Sequence, residues 1–367
     1  MKTIKESEVV VIGSGAVGTS VAYHLARQGK QVTVVDKAGI CSGTSGATFA
    51  LVWVHAKEPL HYMELSLTSS ELYPSVVAEL DQDVLLEQPG GLTLCMNDEE
   101  MDAAKAQIQR QSKSPRFKGI VIDARRVHEL QTGISEEVVG AVHSPHEGHI
   151  DSIRYVTSLS RRARTLGVDF MTYTEVTGIE LKDGAINGVE TAEGRIATTK
   201  VVNCTGAHAE AISAMAGINT PMRPVRGQVV VTLPMARVQW MPMSTVRQAA
   251  TGQFFMGATF EDVGFDKRIT YDGVRGVLQN AIRKVPMVKN ATVLRVFSGI
   301  RPIPPDDLPY LGSVDDVPGF YMAASHSGVT LSPVFGKVIS ELICDGQTNI
   351  PLKHYNPSRF HKASVPP

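Results

Sequence analysis

Residues 9–18, VVVIGSGAVG, constrain this chain more than any other stretch. An apolar run enters a G-x-G-x-x-G turn at Gly13, Gly15 and Gly18 and leaves it with helical periodicity, which predicts strand, tight turn and helix. The first glycine makes the turn, the second lets backbone approach a pyrophosphate, and the third lets helix pack on strand. Ala16 and Val17 then begin a helix whose free N–H groups and dipole favour phosphate. Val21, Ala22, Leu25 and Ala26 carry the helix to Gly29, a C-cap residue. A second apolar run, 31–35, ends in Asp36, where a carboxylate about twenty residues past the turn accepts from ribose hydroxyls. The alternative is the same βαβ unit with no nucleotide.

A length of 367 residues suits about two domains. The 36 basic and 37 acidic residues leave no basic footprint for nucleic acid and no acidic tail, so small neutral or zwitterionic partners are expected. Cys41, Cys95, Cys204 and Cys344 are scattered without a C-x-x-C pair, which fits a reducing compartment and predicts no structural disulfide. The N-terminus passes from charged residues into the first strand without an apolar leader, and every long apolar segment is interrupted by polar side chains. The expectation is a cytoplasmic protein without a membrane span.

After Asp36, residues 41–53 (CSGTSGATFALVW) are rich in Gly, Ser and Thr and then turn abruptly apolar. Next to a dinucleotide fold, Thr44, Ser45 and the Gly46 amide suit phosphate oxygens; the alternative is a polar connecting loop. Residues 59–80 have helical periodicity, 90–95 read as a strand, and 97–118 as a solvated helix and linker. His143, His146 and His149 invite a metal reading, but Pro145 and Gly148 break any helix that would align them, so no metal is expected. Asp151 or Ser152 caps a helix closed by Gly167. Residues 176–202 read as hairpins turning at Asp183-Gly184 and Glu193-Gly194. The segment VVNCTGAHAEAIS then repeats strand, small-residue turn (Thr205, Gly206) and helix. Residues 226–234 and 252–260 read as strands of an antiparallel block, 272–285 as a helix and 297–312 as proline-punctuated loop, before a final strand, Gly/Ser turn and helix.

Taken in order, VVVIGSGAVG, Asp36, VVNCTGA at 201–207, PVRGQ at 224–228, GATFEDVGFD at 257–266 and GIRPIPPDDLPYLG at 299–312 resemble the FAD-dependent D-amino acid oxidase and glycine oxidase family. HSGVTLSP at 326–333 is similar to the FAD-bearing subunits of bacterial opine oxidases and D-hydroxyproline dehydrogenases. The resemblance implies an α/β fold: a discontinuous Rossmann-like FAD-binding domain (1–80, 145–215 and 300–367) and a β-rich antiparallel substrate domain (81–144 and 216–299). It implies noncovalent FAD, with Gly13, Gly15, Ala16, Val17 and Gly18 at the pyrophosphate, Asp36 and Lys37 at the ribose, and Val176 at adenine. Thr44, Ser45, Gly46, Thr205 and Gly206 would line the same cofactor, and His326, Ser327, Gly328, Val329 and Thr330 would pass the flavin pyrimidine edge.

Arg301 is the expected carboxylate ligand and flavin neighbour, because guanidinium matches carboxylate as a planar fork and the family's RP motif places its arginine there. The alternative is a loop arginine paired with Asp306 or Asp307. His55 and Arg247 are candidate cavity residues, with Tyr62 and Met256 beside them. The sequence departs from the family at Phe49, where relatives carry glycine, and at Ser325-His326, where they carry Gly-His. No cysteine lies between 301 and 325 to hold a covalent flavin. The implied reaction is oxidation of a C–N bond beside a carboxylate by hydride transfer to flavin N5, with the imine then hydrolysed, in a chain that works alone or with electron-transferring partner subunits. Two readings stand against it: an NAD-dependent dehydrogenase, and a flavin-holding subunit inactive without partner chains.

Overall fold

The computed structural model describes residues 1–360. Its central sheet follows from the first apolar run. Side chains alternate across a strand, and Val9 and Val11 face one way into a helical layer while Val10 and Ile12 face the other. The strand Val9–Ile12 can therefore be covered on both sides, as parallel strands require. It pairs in parallel with Val32–Asp36 and Val201–Asn203. The full six-stranded order is Tyr310–Ser313, Phe320–Ala324, Val201–Asn203, Val9–Ile12, Val32–Asp36, Asp169–Thr172, with only Tyr310–Ser313 antiparallel. The C-terminal quarter of the chain thus returns to finish a sheet begun at residue 9.

One face packs on the helices Ala16–Arg27, Leu60–Val77, Ser152–Thr165 and Gly328–Asp345. The other packs on a four-stranded sheet of Thr3–Glu6, Gly194–Ala197, Ala185–Thr191 and Val176–Lys182. Asp151 caps its helix by accepting from the backbone N–H of Ile153 and Arg154 at 3.1 and 3.0 Å.

A second antiparallel sheet has the order Val246–Gln248, Phe254–Gly257, Arg223–Thr232, Val293–Ile303. Its neighbour joins Gly91–Cys95, Gly140–Ser144 and Ile120–Asp123, and a bridge between Leu92 and Met243 links the two. Their shared core includes Leu92, Val230, Phe254 and Met256. Residues 297–303, expected as loop, are instead the end of the long edge strand Val293–Ile303. Pro302 is tolerated there because Val293–Ile303 is an edge strand and the Pro224–Pro302 pair, two residues from Arg226, whose N–H turns away to the Glu261 carbonyl, falls where neither nitrogen points at the partner strand. Among the described residues no helix is long and apolar enough to cross a membrane, and the four cysteines are free thiols.

Candidate active site

The glycine turn is over-determined at two of its three positions. Gly13 has φ of +103°, and a β-carbon on it would stand 2.7 Å from the Cys204 carbonyl oxygen. A β-carbon on Gly18 would overlap the Gly13 carbonyl oxygen. Gly15 differs, since its β-carbon would meet only the Ser45 hydroxyl, at 2.9 Å. Gly15 is also the N-cap of Ala16–Arg27 and has no side chain of its own to cap it, and the first turn carries no acidic residue. A helix start so left open suits a phosphate. The Ala16 N–H donates to Ser45 Oγ at 2.9 Å, which brings the 41–53 loop over the turn.

Asp36, at the end of its strand, accepts from Ser14 N–H and Ser14 Oγ at 2.7 and 2.8 Å through one oxygen and from Ala38 N–H at 2.9 Å through the other. Thr174 N–H donates to the Asp36 carbonyl, so buried Val176 begins its strand two residues from the same sheet edge. Exposed Lys37 follows Asp36 and reaches the field of His208. Thr205 Oγ1 donates to Asn203 Oδ1 at 2.7 Å, and Gly206 takes φ of +57° to start the next helical turn. Gly46 is held against the Cys41 carbonyl.

From the glycine turn a narrow cleft runs past Gly15, Ala16, Val17, Ser45, Gly206 and Gly328. It shares Thr44, Thr48, His326 and Val329 with a cavity of about 650 Å³ that ends at Arg301. Turn, loop and C-terminal helix start therefore bound one continuous space between the two sheets. That space, with the open helix start and the glycine whose β-carbon would intrude, fits an extended dinucleotide such as FAD. His326 opens onto the cavity, and its pKa is pushed down to about 3, first because the surrounding walls keep it from bulk water and then by the Lys57 and Arg301 charges. Thr330 lines the cavity, but its hydroxyl accepts from Trp53 N–H and donates to the Leu51 carbonyl, and the Val329 carbonyl accepts from Tyr73 Oη.

Arg301 sits on a strand rather than in a loop, directly across from Val225. Its Nη1 donates to the carbonyls of Thr259 at 2.8 Å and Arg226 at 3.2 Å, and its guanidinium lies 5.4 Å from the centre of the Phe260 ring. Asp306 pairs instead with Arg359. Glu261, the acid whose field Arg301 feels, is taken by Arg226. Burial lowers the Arg301 pKa and Glu261 partly offsets this; a guanidinium stays charged regardless. The result is a cation on the cavity wall whose hydrogen bonds fix it but leave its charge unmatched among the described residues.

Two candidates do not join this wall. His55 is buried, with Nδ1 2.9 Å from Glu147 Oε1 and Nε2 2.7 Å from Thr93 Oγ1, so both ring nitrogens are committed inside the protein. Arg247 donates through Nε to the Phe49 carbonyl at 2.6 Å and stacks 4.0 Å from the centre of the Phe255 ring. It lines a second cavity of about 470 Å³ beside His149 and Asp151, which meets the main one at Thr48 and Ala50 but does not include Arg301. Tyr62 does line the main cavity, whereas Met256 is core. Of the three histidines of the 143–149 loop, His149 lies 3.1 Å from Glu87 and His146 Nε2 accepts from Lys118 N–H. No group of three or more His, Cys, Asp or Glu among the described residues could hold a metal ion.

Two cavity features were not singled out from sequence. Gly227 lies under the Arg301 guanidinium, where a β-carbon would stand 2.5 Å from Cζ; its only signal was its place in PVRGQ. Lys57 lines the cavity and donates to Ser327 Oγ; its signal was the first charge, in the pair Lys57-Glu58, after the apolar run ALVWVHA.

A family model described as FAD dependent oxidoreductase matches residues 8–342. A subunit of the opine oxidase of Agrobacterium tumefaciens is 27% identical over 97% of this chain and 98% of its own length. Among solved structures, L-proline dehydrogenase from P. horikoshii aligns at TM-score 0.90 and 30% identity, covering 97% of this chain and 98% of that one. Iminodiacetate oxidase from Chelativorans sp. BNC1 aligns at 0.85 and 26%, covering 95% and 99%. With the glycine turn, its acidic partner and the matched length all in agreement, this chain belongs to the FAD-dependent oxidoreductase family.

Proposed function

We propose that this enzyme oxidises the C–N bond of an amine or amino acid that carries an α-carboxylate, with Arg301 holding the carboxylate. The observation that carries the reading is a guanidinium without an acidic partner among the described residues, facing a cavity continuous with the glycine turn. Glycine turn residues Gly13, Gly15, Ala16, Val17 and Gly18, with Thr44, Ser45 and Gly206, would hold the FAD pyrophosphate. Asp36 and Val176 would hold its adenosine, and residues 326–330 would run along the flavin. FAD, when bound, accepts a hydride from the substrate α-carbon.

The protein's part is orientation. A planar fork on the carboxylate fixes the adjacent carbon, and an oriented substrate removes much of the entropic barrier. The C–H bond breaks with its electron pair leaving as hydride while the nitrogen lone pair forms C=N, so the amine must react unprotonated. Two cations on the wall, Arg301 and Lys57, disfavour a bound ammonium and so help it shed its proton. His326, held near 3, is neutral and adds no charge. Water then hydrolyses the imine. Proline and iminodiacetate, in the names of two related structures, are carboxylated amines, which supports the reading.

Anaerobic mixing with a panel of carboxylated and decarboxylated amines tests it: only carboxylated ones should bleach the flavin absorbance. Arg301→Met should raise KM about 10- to 100-fold, the worth of one charged hydrogen-bonded pair. Equal bleaching by decarboxylated amines would refute the reading. We also infer that the chain works with partner chains that pass electrons onward, supported by a relative named as a subunit. Full turnover of the isolated chain with its natural acceptor would remove that inference, and turnover with a dye would show that it is not inactive alone.

A further inference from the structure

Lys57 is a second cation on the substrate cavity, and no acid among the described residues pairs with it. It lies between the strand Leu51–Val52 and the helix Leu60–Val77, half-buried. Its ammonium donates to the Ser327 hydroxyl and lies 5.6 Å from the centre of the Tyr62 ring. Glu58, the next residue, turns its carboxylate outward to Arg110 Nε at 2.7 Å. Asp307, the other acid on the wall, is exposed and forms no ion pair with Lys57. Lysine stems usually carry their charge out to bulk water or to a carboxylate. This one is directed inward to a hydroxyl, in the cavity that Arg301 closes.

Lys57 and Arg301 line the same cavity, and His326 on its wall lies in the field of both. Two positive charges facing one enclosed space repel each other, and the repulsion grows as water is excluded. A ligand that brings an anion to each relieves it. A ligand with one carboxylate serves Arg301 and leaves Lys57 with its hydroxyl alone.

We propose that the preferred substrate is a secondary amine bearing two carboxylates, an N-(carboxyalkyl) amino acid, with one carboxylate on Arg301 and the other on Lys57. This rests on the reading that Arg301 holds the α-carboxylate. Lys57 is then a specificity residue, whereas Arg301 serves every carboxylated amine.

The test uses the FAD-loaded protein and two unreactive sulfur analogues, thiodiacetic acid with two carboxylates and (methylthio)acetic acid with one. Each is titrated while the flavin absorbance is followed, and kcat/KM is measured in parallel for iminodiacetate and N-methylglycine. The wild type should bind the dicarboxylate about 10- to 100-fold more tightly. Lys57→Met should bring that ratio close to one, and Lys57→Arg should keep most of it. A wild-type ratio near one, or a ratio that survives Lys57→Met, overturns the assignment of Lys57, and the wild-type ratio decides even if the variant does not fold. Arg301→Met should weaken both analogues; if it weakens neither, the underlying Arg301 reading fails instead.

Discussion

Gly227→Ala tests the Arg301 geometry without touching Arg301. Gly227 stands in the strand Arg223–Thr232, paired with Gly299, and has an ordinary negative φ that alanine adopts freely. The added β-carbon would stand 2.5 Å from Arg301 Cζ, with both terminal nitrogens closer still. Carbon atoms settle at about 3.5–4.0 Å, so the guanidinium must retreat by roughly 1–1.5 Å. It is the end of a flexible side chain, so the backbone need not move. Retreat strains the bonds to the Thr259 and Arg226 carbonyls, and a misplacement of about 1 Å in a positioning group costs on the order of 10²-fold in rate. That corresponds to about 2.7 kcal/mol at the transition state. Steady-state kinetics on a carboxylated amine should show kcat/KM lowered by roughly 10- to 100-fold, with normal flavin content. Thermal unfolding should move by no more than about 3 °C, since Gly→Ala in a compatible conformation gains about 0.4–1 kcal/mol against the local strain. In an Arg301→Met background the same change should add almost nothing. Unchanged kcat/KM in a folded Gly227→Ala protein would refute the carboxylate assignment, because no substrate held by that guanidinium could ignore its displacement.

The turn glycines should separate by role: Gly18→Ala drives a β-carbon into backbone and should abolish soluble expression, while Gly15→Ala meets only the Ser45 hydroxyl and should fold but take up FAD more weakly in titrations of the apoprotein. Equal behaviour of the two would contradict this division. Glu147→Ala removes the acceptor for Val54 N–H, His55 N–H and His55 Nδ1, at 3.0, 2.7 and 2.9 Å in a fully buried site, and should cost about 3–5 kcal/mol in denaturant unfolding; a loss below about 1 kcal/mol would show that the cluster is dispensable. Acid should destabilise the fold in two stages. His24 is held near 3 by burial, then by Arg27 and Lys337, against an ordinary value of 6.5, so below pH 6.5 the unfolded chain gains a proton that the folded one refuses. Glu87 is held at about 2 by His149 and the Arg237 fork, which outweigh burial, so its contribution is full above about pH 4.5 and fades as pH falls toward 2. A urea midpoint that stays flat from pH 7 to pH 4.5 would contradict the His24 stage, and one that stays flat from pH 4.5 toward pH 2 would contradict the Glu87 stage.

Local pattern carried the dinucleotide half of the fold because its determinants are near neighbours. The turn, the helix behind it and Asp36 lie within 28 residues, and each obeys a rule that short-range sterics enforce. The reading failed where a residue's meaning depends on register. Prolines between 302 and 309 look like loop until Pro224 is known to stand opposite Pro302. Gly227 looks like an ordinary strand glycine until pairing with Gly299 brings it under a guanidinium from the next strand. His55 and Arg247 drew attention as polar residues near apolar runs, yet the long-range partner decides each. His55 meets Glu147, which stands among the loop histidines that attracted the metal reading, and Arg247 turns to Phe49 and Phe255 in another cavity.

The cavity itself explains why its residues come from so many places. A cofactor held only by the first βαβ unit would present one face to water, and hydride transfer requires that the reacting face be dry and crowded. Closing it takes backbone from the 41–53 loop, an edge strand from the second sheet and the start of the last helix, which the fold supplies at Thr44, Arg301 and Ser327. These pieces are tied across the site by contacts of long sequence separation: Thr44 Oγ1 donates to the Ile300 carbonyl at 2.6 Å, and Lys57 donates to Ser327. The first tie joins the 41–53 loop, which lies over the glycine turn, to the residue beside Arg301. Any loosening of that loop therefore moves Arg301, the proposed carboxylate ligand, as well as the proposed phosphate cover. Thr44→Val, which keeps the shape and removes the hydroxyl, should weaken FAD binding and raise KM together, whereas two independent sites would allow one to change without the other.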